Sequence, residues 1–108
     1  MRVPRGILTL RVRIRDRTWR VRFMPARYMG KDWGRCYHPA GRHPLIEIRR
    51  SLRGKNLIDT IIHELLHAQH PEMTEEAVDA TACMVAKCLY AAGCRISPPS
   101  TRKGRRAS

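Results

Sequence analysis

The residues best suited to chemistry lie in one stretch of the sequence, NLIDTIIHELLHAQHPEMTEEAVDATA, from residue 56 to residue 82. His63 and His67 are four positions apart, and Glu64 directly follows the first histidine. On a helix, positions i and i+4 share a face, so both imidazoles can offer a nitrogen to one metal ion. A catalytic zinc takes three protein ligands and keeps a position for water. Glu64 would serve as general base toward that water, which is the pattern of a zinc hydrolase.

The third ligand has two candidates, the adjacent carboxylates Glu75 and Glu76. On a helical wheel, Glu75 heads the row that faces the preceding helix, whereas Glu76 heads a row that points away. The pattern favours Glu75, with Glu76 as the alternative and as a residue that stabilises the helix N-terminus. Asp79 follows Glu75 by one turn and is predicted to orient a ligand histidine. The expected cofactor is therefore one Zn²⁺ ion.

Three further side chains near the motif have other expected roles. His70 shares the face of His63, but two helical turns of about 5.4 Å separate the two residues, too far for one zinc with bonds of about 2 Å. His70 is therefore predicted to be the C-terminal cap of the helix or a residue at the rim of the site. Tyr37 and Tyr90 are both candidates for donating a hydrogen bond to an oxyanion, and the sequence does not choose between them.

Two helices are predicted to hold these residues. The first spans 56–70, with Asn56 as its N-cap and Pro71 as its end. The second spans 74–92, with Thr74 as N-cap and Gly93 after it. Because only a short connection joins them, the helices must pack against each other. The apolar stripe expected on the second helix is Ala77, Val78, Thr81, Ala82, Met84, Val85, Cys88 and Leu89.

The segment before the helices is predicted to be a sheet. Residues 1–27 alternate between apolar and arginine positions, which indicates a hairpin with a turn at residues 16–17. Residues 34–50 are predicted as strand-turn-strand, with Leu45–Arg49 at a sheet edge able to bind an extended peptide. The apolar face is expected to comprise Leu8, Leu10, Val12, Ile14, Trp19, Val21 and Phe23, and the arginine face Arg11, Arg13, Arg15, Arg20 and Arg22.

Charge is large and unevenly distributed. The 108 residues carry 22 Lys+Arg and 9 Asp+Glu, a net charge of +13. Residues 1–27 contain nine arginines and one acid, whereas six of the nine acids lie between Asp59 and Asp79. This surplus predicts an acidic partner, and we expect nucleic acid bound by the arginine face and by the basic residues of the C-terminal tail, 95–108.

The sequence therefore predicts a small α+β protein with one zincin-like domain, residues 1–94, and a disordered basic tail, residues 95–108. Four cysteines without a CxxC pair indicate a reduced, cytoplasmic chain. No apolar run approaches the roughly 20 residues that span a bilayer, so no membrane partner is expected.

The stretch TIIHELLHAQHPEMTEEAVDATA, together with GRCYHPAGRHPLIEI before it, resembles small phage- and prophage-encoded zinc metallopeptidases of a minimal gluzincin type. The likeness covers about residues 30–94 and is most specific across 60–82. It implies His63 and His67 as ligands, Glu64 as the catalytic residue, and Glu75 or Glu76 as the acidic ligand. More distantly the chain is similar to SprT-like domains, which act on proteins bound to DNA. The resemblance implies a phage-encoded protein in a host cytoplasm.

The leading hypothesis is thus a zinc-dependent peptidase acting on a protein or peptide, with nucleic-acid-associated proteins as candidate substrates. The alternative is a nucleic-acid-binding accessory protein whose zinc site is structural or vestigial. A third hypothesis is a regulatory protein that uses the helical pair as a docking surface and needs no metal.

Overall fold

The computed structural model describes residues 7–37 and 44–99 and confirms the predicted α+β class. A four-stranded sheet packs against a pair of helices. The strands are β1 (Thr9–Ile14), β2 (Arg17–Met24), β3 (Gly34–Tyr37) and β4 (Leu45–Arg49), and the helices are α1 (Gly54–Gln69) and α2 (Glu75–Ala91). A single 3-10 turn, Ala26–Tyr28, follows β2.

Strands β1 and β2 form the expected antiparallel hairpin, but its turn lies one residue earlier than predicted. Ile14 pairs with Arg17, so the turn consists of Arg15 and Asp16. Arg15 has a φ of 59°, in the left-handed region that tight hairpin turns require. Arg15 therefore does not belong to the arginine face of the hairpin. It lines a cavity with Ala68 at the end of α1 instead.

The prediction that Leu45–Arg49 is an edge strand is wrong. The strand order is β1-β2-β4-β3, so β4 is an inner strand that pairs parallel with β2 and antiparallel with β3. Its Ile46 and Ile48 are buried. Arg49, which suggested an exposed edge, donates hydrogen bonds to the carbonyl oxygens of Asp32 and Gly30. Among the described strands, the edge beside the helices is β3.

Helix α1 begins at Gly54, two residues before the predicted start, and Asn56 is not its cap. Arg53 occupies the N-cap position without a capping side-chain hydrogen bond. The helix ends at Gln69 with His70 as its C-cap, which confirms the role predicted for that histidine. At the start of α2, the Thr74 hydroxyl accepts a hydrogen bond from the Ala77 amide at 3.1 Å, as expected of an N-cap.

The core lies between α1 and the apolar face of the sheet. Buried residues from both layers form one cluster, and its members include Trp19, Val21, Phe23, Ile46, Ile48 and Leu57. Leu8 and Leu10, expected on this face, are exposed at the far end of the hairpin. Helix α2 packs mainly on α1. Its Val78 and Ala82 are buried as predicted, but so is Ala86, while Ala77, Met84, Cys88 and Leu89 are exposed.

The segment after α2 is only partly described. Residues 95–99 contain no helix or strand, and the rest of the predicted tail, residues 100–108, lies outside the described residues. Arg95 stacks its guanidinium over the Tyr90 ring, 3.7 Å from the ring centroid, so the chain is anchored where the tail was expected to begin. Neither helix in the described ranges has the length and apolarity needed to cross a membrane.

Candidate metal centre

The short connection between α1 and α2 brings the predicted metal ligands together. Gly54 at the start of α1 lies beside Tyr90 near the end of α2, so the two helices run antiparallel. The second half of α1 consequently lies next to the first turn of α2. The Nε2 atoms of His63 and His67 are 3.1 Å apart, and each lies 3.1 Å from a carboxylate oxygen of Glu75.

This triad has dimensions that suit a zinc ion. Tetrahedral zinc with ligand bonds of about 2.0–2.1 Å separates its ligand atoms by about 3.3 Å. The 3.1 Å between the two imidazole nitrogens is close to that spacing. The Glu75 carboxylate spans both rings, with Oε2 at 3.1 Å from His63 and Oε1 at 3.1 Å from His67. These donors form the candidate metal-binding group found among the described residues, and Glu76 is not a member of it. Coordination of zinc by the triad remains a prediction.

Asp79 contacts the first histidine. Its Oδ1 lies 3.1 Å from Nδ1 of His63. When Nδ1 carries the proton and donates it to Asp79, Nε2 of the neutral ring keeps its lone pair, and that lone pair points at His67 and Glu75. Metal-binding histidines are commonly held by such a carboxylate. The geometry therefore agrees with the orienting role predicted for Asp79.

Glu64 is the buried carboxylate beside the triad, with 7% of its surface exposed. Burial raises the pKa of Glu64 to about 7; the His63 ring opposes this rise, and the charges of Glu75 and Asp32 add to it. A carboxylate with a pKa near neutrality is suited to accept and return a proton at physiological pH. Its position on α1, one residue after His63, follows directly from the motif.

A close approach between β3 and α1 was not predicted. A Cβ placed on Gly34 would lie 2.8 Å from Cγ and Oε2 of Glu64 and 2.9 Å from Cγ2 of Thr60. Only glycine leaves room for the edge strand to contact Glu64 so closely. The sequence signal was a glycine at the start of a predicted strand, where glycine marks a close backbone contact.

A cavity of about 480 Å³ exposes the triad, and its walls include Cys36 and Pro71. A second cavity of about 310 Å³ shares Gly34, His63 and Glu64 with the first and is lined further by Trp33, Asp59, Thr60 and Asp79. The site thus opens on both sides of the contact between Gly34 and Glu64. Sequence reasoning missed Trp33 and Cys36, because only the course of the chain through β3 brings them to the helix. It also missed Asp59, although this residue precedes His63 by one turn of α1.

Other candidates lie away from the triad. His70 is exposed, and its Nδ1 lies 3.1 Å from the Glu72 carboxylate. The Tyr37 hydroxyl donates to Glu47 at 3.3 Å on the far face of the sheet, and Tyr90 stacks with Arg95. Neither tyrosine lines the two cavities around the triad, so the structure supports no oxyanion role for them.

Comparison with known proteins gives no relative: no family model, curated protein or solved structure matches the chain. The resemblance to minimal gluzincins and SprT-like domains therefore stays a prediction from the motif.

Proposed function

We propose that this chain is a zinc-dependent metallopeptidase. The observation that carries the proposal is the convergence of three donors, two imidazole nitrogens and a carboxylate, at 3.1 Å spacing, with the buried Glu64 beside them. A structural zinc site does not need such a carboxylate, whereas a hydrolytic site does.

Zinc with a free coordination position supplies a Lewis acid and lowers the pKa of water that it binds. His63, His67 and Glu75 would hold the ion, and Asp79 would keep His63 in the tautomer that binds it. Glu64 accepts a proton from the attacking water and returns it to the leaving amine. The buried position of Glu64 beside the triad supports this role.

The substrate is expected to bind along β3. One side of this strand pairs with β4, and its core-facing residues Gly34 and Cys36 line the cavity of the triad. An extended peptide that adds to the other side would pass directly over Glu64. This proposal replaces the predicted role of Leu45–Arg49, which the inner position of β4 excludes.

The test combines metal content with activity. After reconstitution with zinc, elemental analysis is expected to give about one zinc per chain in the wild type and in Glu76→Gln, and a large loss in Glu75→Gln. Digestion of an unfolded protein such as casein should fall by about 10²–10⁴-fold in Glu64→Gln while its zinc content is unchanged. A wild type without zinc, or a Glu64→Gln variant with full activity, contradicts the proposal.

The second candidate function is a nucleic-acid-binding accessory protein with a structural zinc. It is favoured by the +13 charge and by the arginines of the hairpin. Stoichiometric zinc, no proteolysis of any unfolded substrate, and strong nucleic-acid binding would together select it. For either function, we propose a reducing cytoplasm as the compartment, since the four cysteines form no disulfide.

A further inference from the structure

We propose that the outer face of the sheet binds the phosphate backbone of nucleic acid, on the side of the sheet opposite the metal triad. We call this surface the arginine face and define it by Arg11 and Arg13 of β1 and Arg20 and Arg22 of β2. The proposal does not depend on the hydrolytic function, because it concerns other residues and needs no metal.

The strand register places the four arginines together. Val12, Trp19 and Val21 contact the core, so their neighbours in the strands point to the opposite side. Arg11 pairs directly with Arg20, Arg13 with Thr18, and Arg22 with Thr9. Alternate residues of a strand are roughly 6.6 Å apart and neighbouring strands about 4.8 Å apart, so the four side chains form a compact group. Helix α1 covers the other face.

These arginines lack acidic partners in the described part of the chain. None of the ion pairs among residues 7–37 and 44–99 includes Arg11, Arg13, Arg20 or Arg22. The only carboxylate in the four strands is Glu47, the neighbour of Arg22 in the register of β2 and β4; its contacts are with Tyr37 at 3.3 Å and Arg35 at 3.6 Å. One carboxylate therefore lies beside four arginines, and most of the positive charge of the arginine face is not neutralised within the described ranges.

This arrangement is unfavourable in the free protein. Like charges directly opposite on adjacent strands destabilise a sheet, and Arg11 and Arg20 are such a pair. Arg22 is half-buried, and its buried Nε has no hydrogen-bond partner. The simplest explanation for these unpaired arginines is an anionic ligand that supplies the negative charge they lack.

Nucleic acid fits this surface better than an isolated anion does. A guanidinium presents a planar group of donors that pairs with a phosphate through two parallel hydrogen bonds. Several such groups on a rigid sheet match a polymer that repeats its phosphates regularly, and the net charge of +13 attracts that polymer from a distance. Since phosphates carry no base identity, the expected binding is independent of sequence.

The experiment measures binding of the full chain to a fluorescently labelled 20-base-pair duplex DNA and to a single-stranded RNA, by anisotropy across a range of salt concentrations. The test variant Arg11→Gln/Arg13→Gln changes two exposed positions, which protects folding. The matched control Lys55→Gln/Lys87→Gln removes the same charge from the helices. A second test variant, Arg20→Gln/Arg22→Gln, examines the other strand.

For duplex DNA, the plot of log affinity against log salt is expected to become shallower by about 0.9 for each arginine removed from the arginine face. At 0.1 M salt this slope corresponds to a loss of about eightfold in affinity per arginine, or about 60-fold for each test variant. The control should change the affinity much less. The two nucleic acids distinguish DNA from RNA as the preferred ligand. Equal losses in the test and control variants, as binding through the tail alone would give, would overturn the proposal.

The same assay tests whether nucleic-acid binding is independent of the hydrolytic site. Zinc-free wild type and Glu64→Gln are expected to bind duplex DNA with the affinity of zinc-loaded wild type. If the wild type contains zinc and digests protein but binds neither nucleic acid, this inference is wrong and the proposed function stands. If binding persists without proteolysis, the proposed function is wrong and this inference stands.

Discussion

At the scale of single residues, Asp79 has the clearest expected effect on the metal site. When the Asp79 carboxylate accepts the proton of His63 Nδ1, Nε2 of that ring keeps the lone pair that would bind zinc. We predict that Asp79→Asn weakens zinc binding by about 10–100-fold, the usual effect of removing such a partner. Competition with a chromogenic chelator measures the affinity. The control is Asp59→Asn, which removes the same charge from a residue in the same cavity.

The stability of the zinc-free Asp79→Asn variant shows whether a loss of zinc affinity comes from the orientation of His63 or from impaired folding. Asp79 is exposed, so urea unfolding of the zinc-free variant should match that of zinc-free wild type. Equal zinc affinities for the two aspartate variants would show that Asp79 acts only through its charge, or not at all.

Cys36 provides a prediction about pH. Burial, with a contribution from the charge of Glu64, raises the pKa of its thiol to about 12. Because the thiolate is the reactive form, alkylation of Cys36 in the zinc-free protein should be slow at pH 8 and rise about tenfold per pH unit at least to pH 10. Cys88 is exposed and serves as the internal control. Mass-spectrometric peptide mapping after timed iodoacetamide treatment gives both rates, and similar rates for the two thiols would contradict the burial of Cys36.

At the scale of elements, β3 approaches α1 closely at Gly34, where the strand touches the Glu64 side chain. An alanine at Gly34 would collide with Glu64 and Thr60, so the strand or the glutamate must move. We predict that Gly34→Ala lowers the free energy of unfolding by about 1–3 kcal/mol. It should keep its zinc, because the ligands lie on the helices. Proteolysis should fall by about 100-fold, as expected when a catalytic group moves by about 1 Å.

The matched control for this element is Gly93→Ala. Gly93 has a φ of 100° and nothing near its Cβ position, so alanine there costs stability through the backbone alone. Its activity per folded molecule should equal that of wild type. Wild-type activity in Gly34→Ala would show that the approach of β3 does not position Glu64.

The helices were more predictable than the sheet. Apolar residues at helical spacing, Pro71 after the first helix and Thr74 before the second are local signals, and together they located α1 and α2 within two residues at each end. The choice of Glu75 over Glu76 followed from the same spacing. The start of α1 was missed because Asn56 was predicted as its cap, whereas the helix begins at Gly54 after Arg53, whose side chain makes no capping hydrogen bond.

The strand order was not predictable from local patterns. Parallel pairing of β2 with β4 depends on contacts between distant segments, such as Val21 with Ile46 and Phe23 with Ile48. Arg49 was interpreted as a sign that β4 is an exposed edge strand, but its guanidinium donates hydrogen bonds to carbonyl oxygens of the loop before β3. The site residues contributed by β3 were therefore missed, whereas those contributed by the helical motif were found.

At the scale of the whole molecule, the sheet separates two surfaces of opposite character. One face carries α1, α2 and the carboxylates Glu64, Glu75 and Asp79 around the histidines. The other carries the arginine face. A polyanion attracted to the arginines would be repelled by the carboxylates of the cleft. A ligand on the arginine face therefore leaves the cleft open to a peptide.

The same arrangement predicts how zinc affects stability. Helix α2 packs mainly on α1 through the small side chains Val78, Ala82 and Ala86, so a metal held by both helices adds a substantial connection. Zinc at 100 times its dissociation constant should raise the free energy of unfolding by about 2.7 kcal/mol. For a domain of this size, that corresponds to an increase in Tm of roughly 10–20 °C. Hydrogen exchange should slow most in α2.

Substitutions at the two adjacent glutamates test whether this stabilisation comes from the predicted ligand. Glu75→Gln should abolish most of the zinc-dependent increase in Tm, because the link from α2 is lost. Glu76→Gln removes the same charge from the same helical turn and should retain the increase. Thermal unfolding with and without zinc, followed by hydrogen exchange of both variants, measures the effect. An equal loss in the two variants, or zinc protection confined to α1, would show that Glu75 does not join the helices through the metal.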